Sequence, residues 1–237
     1  MHNKTIFAAL VAVTAFGAVI AADQKPQRQS AGFLEKKDAQ KGRIAIVNNQ
    51  TKVAASDIEA AVKVICDQTK CNAAIGSAEG AQVVVELVDN ETAPVLAAYP
   101  EDYKATVNVG KLSQGLKGDA VAKFLPGRAQ RELLRAFCFA CGAGGSQYPD
   151  NIMAIGKVSD LDLIKELFIP GDTAFACQSR LKNVGVTPKL IVPYARAVME
   201  GWAPAPTNDV QKKVWQVIKE RKERGPTNPI KIKPPKK

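Results

Sequence analysis

The sequence predicts an α+β domain, and three observations carry that expectation. A strand, a helix and several more strands follow one another between Arg43 and Val109. A long, largely apolar helix then runs through Leu133, Leu134 and Phe137, and shorter helices close the chain. The chain has 237 residues, 46% of them apolar, which suffices for one domain core plus a tail and excludes wholesale disorder.

In chain order, residues 1–22 read as an export signal. Lys4 supplies the positive start, Thr5 to Ile20 is apolar, and Ala21/Ala22 offers a small-residue cleavage site. Export to the periplasm or outside the cell is therefore expected, with an uncleaved anchor as the alternative. Residues 23–42 are polar and mixed, a flexible leader. Arg43–Asn48 alternates as a strand, and Ser56 caps a helix over Asp57–Lys70. Cys71–Ile75 is a short strand. Ala81–Val88 is apolar on both faces and belongs at the centre of a sheet. Pro94–Tyr99 and Ala105–Val109 read as two further strands. Pro126 and Gly127 break the chain ahead of the central helix, which the glycines from Gly142 onward stop. Asp160–Phe168, capped by Ser159, and Thr173–Asn183 are short helices. The domain is bounded at 43–188, a proline-containing packed segment follows at 189–206, and 207–237 forms a basic amphipathic helix with a mobile Lys/Pro tail.

The net charge of +10 is unevenly placed. Residues 207–237 hold ten Lys/Arg against three acidic residues, a net +7. Such a segment could sit on an anionic membrane or cell-wall surface. Aromatic interleaving is sparse and no nucleic-acid motif occurs, so nucleic acid is not an expected partner.

Five cysteines (Cys66, Cys71, Cys138, Cys141, Cys177) leave at least one unpaired if disulfides form. A local Cys66–Cys71 disulfide is the favoured pairing. Cys138-x-x-Cys141 sits at a helix's C-terminal end, where the dipole disfavours a thiolate. It reads first as two buried side chains, with a thiol-active site as the alternative and a four-cysteine zinc site as a remote one.

The central stretch carries the most informative spacing. Arg131-Glu132 is followed by Arg135, then Cys138 and Cys141, a glycine stop and Met153. This layout resembles the metzincin zinc-protease helix, HExxHxxGxxH with its Met-turn, and residues 43–185 are most similar to the archaemetzincin branch. The resemblance implies a mixed sheet with a packed N-terminal helix, an active-site helix, a Met-turn and C-terminal helices. It places Glu132 where the family's general base stands and Met153 at the Met-turn methionine. The three zinc histidines fall on Arg131, Arg135 and Cys141, and the family's glycine on Cys138. The family's structural cysteine zinc is also unmatched, at Asn151 and over Phe168–Gly171. The one histidine, His2, lies in the signal, and a guanidinium has no free lone pair for a metal. The sequence alone thus predicts no metal, no cofactor and no enzyme: an exported pseudoprotease acting as a binding or structural module. Within it, Glu132 would be neutralised by Arg128 and Arg135. Otherwise the arginines would grip a peptide or protein lying in the former cleft along Pro94–Tyr99. The absence of a G-x-S-x-G elbow and a P-loop weighs against other enzyme classes.

Overall fold

The computed structural model describes residues 30–98 and 102–224; the expected export signal and Lys/Pro tail lie outside them. The fold is α+β. Its described residues divide into one unit spanning 32–203 and another formed by 30–31 with 204–224.

In the larger unit, β2 (Ile44–Asn48), β3 (Ala73–Ile75), β4 (Val83–Val88) and β5 (Lys104–Asn108) form a parallel sheet in the order β3-β2-β4-β5. The apolar β4 occupies an interior place, where both its edges pair, as its composition predicts. Helix α1 (Ala55–Thr69) crosses from β2 to β3 and buries Ile58, Ala61, Val62 and Ile65, the stripe expected from the sequence. Its start differs, because Ala54 occupies the N-cap and Ser56 lies inside the first turn.

Helix α2 (Asp119–Ala140) packs on this sheet and begins earlier than expected, running through Pro126 and Gly127. Leu125, Ala129, Leu133 and Phe137 recur every fourth residue and are buried. That continuous stripe outweighs the local cost of a proline without an N–H. The helix stops as expected just ahead of Gly142, which takes φ +73°. Its N–H donates to Phe139 O and the Ala143 N–H to Cys138 O, a Schellman closure that satisfies two terminal carbonyls.

Four other expectations are corrected. Phe33–Lys36, expected within a flexible leader, is β1 and pairs antiparallel with β6 (Leu190–Pro193); Tyr194–Glu200 then forms helix α4 in the segment expected to be irregular. The 160–168 region is a short 3-10 turn over Val158–Leu163, since Ser159 makes no cap. Residues 94–98 form no strand, for a reason that belongs to the site. Helix α3 (Gly171–Leu181) runs close to its expected bounds, and in the smaller unit α5 (Asp209–Glu223) is capped by Asn208, whose Oδ1 accepts from the Gln211 N–H at 2.9 Å. Among the described residues no helix is long and apolar enough to cross a membrane.

Candidate functional site

The polar side of α2 brings the sequence-predicted residues together, and each one holds a piece of irregular backbone. Parallel strands such as β4 and β5 need a long connection, usually helical. Here the described residues of the 89–103 connection hold no helix. Their buried main-chain groups must find partners elsewhere.

Glu132 and Arg135 supply those partners. The Ala97 N–H donates to Glu132 Oε1 at 2.6 Å, and Arg135 Nη1 donates to Ala97 O at 3.0 Å and to Glu132 Oε1 at 2.9 Å. One residue of the connection is thus gripped at both its N–H and its C=O. This is why 94–98 does not extend into a strand. The edge strand along which a cleft-bound peptide would lie is missing there.

Glu132 is fully buried, and its Oε2 has no hydrogen-bond partner. Burial pushes its carboxyl up to about 7, outweighing Arg135 and the Ala97 N–H, which act the other way. A proton shared onto the partnerless Oε2 is consistent with that balance. The Arg135 guanidinium also stacks over Phe139, 4.5 Å from the ring centre.

The other two arginines are also engaged. Arg128, expected beside Glu132, turns instead to Asp162 in a bidentate pair of 2.9 and 2.6 Å. Its Nη1 donates to Leu112 O and Gln114 O at 2.8 and 2.9 Å. Arg131 Nε donates to Ile164 O at 2.7 Å, and burial draws its guanidinium below its ordinary value. Three arginines and one glutamate therefore fasten three connecting segments to one helix. Met153 lies in a short 3-10 turn, with its N–H on Asn151 Oδ1 at 2.9 Å and its carbonyl accepting from the Ser146 N–H at 3.2 Å.

The cysteines sort differently from expectation. Cys66 Sγ donates to Ala73 O and Cys71 Sγ to Thr69 O, so the favoured local disulfide is not made; all five are thiols. Cys138 and Cys141 are buried together as expected, but Cys177 of α3 joins them. Sequence reasoning had no signal for that meeting except the apolar face of α3 on which Cys177 lies with Ala174 and Leu181.

No protein-family model matches this chain, and no curated protein matches it. Among solved structures, it is similar to an archaemetzincin from Methanopyrus kandleri, at 13% identity over 60% of this chain and 96% of that one, with a TM-score of 0.47. It is also similar to a zinc-dependent peptidase from Methanocorpusculum labreanum, at 13% identity over 56% and 99%, with a TM-score of 0.43. Both are likenesses of fold, and distant ones. The expectation that the chain is not an enzyme is overturned here: the solved structures it resembles are zinc peptidases, and nothing among the described residues is positive evidence of inactivity.

The zinc that those neighbours imply does not fit the residues on α2. Arg131 and Arg135 are cationic donors already committed to carbonyls, and Cys141 faces Cys177. Among the described residues no group of three or more His, Cys, Asp or Glu is placed to hold a metal ion.

Proposed function

We propose that the chain is an exported binding module that docks on an anionic membrane surface through α5 and the basic residues after it. The observation that carries this reading is the contrast between two sets of cations. Arg128, Arg131 and Arg135 on α2 are spent on internal partners, whereas Lys213, Lys219 and Arg221 on α5 are exposed. Val210, Val214 and Ile218 recur on one side of α5 and are half-buried, while Val217 is 63% exposed. An apolar stripe flanked by lysines suits the headgroup boundary of an anionic leaflet. Most of the net charge lies in the same segment, and each Lys or Arg near such a surface contributes about 1 kcal/mol.

The test is sedimentation of the purified full chain with phosphatidylserine-containing and pure phosphatidylcholine vesicles, at low salt and at about 1 M salt. Binding to the anionic vesicles alone, released by salt, supports the reading. Equal binding to both, or binding unmoved by salt, refutes it.

A further inference from the structure

Three thiols meet where α2 ends. Cys138 and Cys141 lie one turn apart on α2, and Cys177, midway along α3, is within hydrogen-bonding reach of both. All three side chains are fully buried in the core. Arg180 lies one turn on from Cys177 and covers Gly142, its Nη1 2.7 Å from where a Cβ would stand. The thiols of Cys138 and Cys141, and then Arg180, draw the Cys177 thiol down to about 5. The same contact with Cys177 pushes Cys138 up, and burial together with that contact pushes Cys141 up.

We infer that Cys177 is the shared member of two alternative disulfides, one to Cys138 and one to Cys141, either of which ties α3 to the end of α2. The other two cysteines are directed elsewhere, Cys66 onto Ala73 O and Cys71 onto Thr69 O. A metal is a poorer occupant, because the cluster does not offer three ligands in metal-binding geometry. Cys177 has the attributes of the sulfur that attacks the donor first, and the two α2 thiols those of the partners that resolve the mixed disulfide onto it.

The chemistry balances with a disulfide donor, such as a thiol oxidoreductase or glutathione disulfide. The Cys177 thiolate first attacks the donor disulfide, forming a mixed disulfide and releasing one donor thiolate. Deprotonated Cys138 then attacks the Cys177 sulfur, the Cys177–Cys138 bond forms, and the second half of the donor leaves as a thiolate. The donor disulfide is reduced to two thiols as the two cysteine thiols are oxidised. Exchange to the second position is redox-neutral. Deprotonated Cys141 attacks the sulfur of Cys177, and Cys138 departs as a thiolate that takes up a proton.

The inference takes from the proposed function only its export, which supplies an oxidising compartment. Its test is therefore run outside any cell. The purified full chain is reduced, refolded in a glutathione redox buffer, alkylated under denaturing conditions, digested with trypsin and analysed by mass spectrometry. The expected result is one disulfide and three alkylated cysteines per chain, joining the 136–157 peptide to the 166–180 peptide. The Cys138→Ala and Cys141→Ala variants each keep that cross-link, and Cys177→Ala loses it. Reductant should also lower the thermal unfolding midpoint of the wild type by several degrees and leave that of Cys177→Ala unmoved, a readout that needs no cross-link mapping. Five alkylated cysteines, a link at Cys66–Cys71 or Cys138–Cys141, loss of the link in either α2 variant, or one zinc per chain would each overturn the inference. Vesicle binding plays no part in this outcome, so the two readings fail separately.

Discussion

Glu132 offers the sharpest test of how α2 holds its neighbours. Its carboxyl is raised from 4.5 to about 7 in the folded protein, burial outweighing Arg135 and the Ala97 N–H. The folded state therefore keeps this proton more tightly than the unfolded chain does. The stabilisation is fully present below pH 4.5 and is lost as pH rises towards 7, since over that interval only the unfolded chain gives up the proton. At about 1.36 kcal/mol per unit, the loss is about 3 kcal/mol. Glu132→Gln keeps an oxygen for the Ala97 N–H but cannot titrate. Urea unfolding of both proteins at pH 4.5, 5.5, 6.5 and 8 isolates the effect, because every other titrating group is common to the two. The wild type should lose about 3 kcal/mol relative to the variant across that range. A flat difference, or a wild type gaining on the variant as pH rises, would show that the Arg135 ion pair dominates and that desolvation has been given too much weight.

Other substitutions probe the same fastening. Arg128→Ala removes the bidentate partner of Asp162 and leaves the Leu112 and Gln114 carbonyls without their donor. It should cost about 3–5 kcal/mol in urea unfolding, and Arg128→Lys should recover only a minor part, since an ammonium does not reproduce the fork. Gly142→Ala places a Cβ at φ +73° against Arg180, and calorimetry should register a loss of about 1–2 kcal/mol. Phe137→Ala empties a fully buried site beneath α2 and should cost about 3–5 kcal/mol by the same unfolding assay.

Much of the sheet was legible because its information is local. The apolar run of β4 announces a strand at the centre of a sheet, and the i, i+3, i+4 stripe of α1 announces a helix with one buried face. What escaped was set by distant parts of the chain. Four residues, Phe33–Lys36, carry too little pattern to reveal a partner at 190–193. Pro126 and Gly127 read as a break because propensity is local, whereas the stripe that overrides them spans the whole of α2. Residues 94–98 are apolar enough for a strand, yet Ala97 is claimed by two side chains more than thirty positions away. At the site, the Arg131, Glu132, Arg135 spacing put these three residues on one helix, which is α2. It could not say that Arg128 would turn to Asp162, or that Cys177 would complete a trio with Cys138 and Cys141, because neither partner lies on α2.

The contrast between engaged and exposed cations can be measured in one experiment. Binding to phosphatidylserine vesicles at low salt is compared for the wild type, Arg131→Ala on α2, and a triple variant, Lys213→Glu, Lys219→Glu and Arg221→Glu, on α5. At about 1 kcal/mol per charge, the triple variant should bind at least ~100-fold more weakly, while Arg131→Ala binds like the wild type. Undiminished binding by the α5 variant, or a loss confined to Arg131→Ala, would contradict the account.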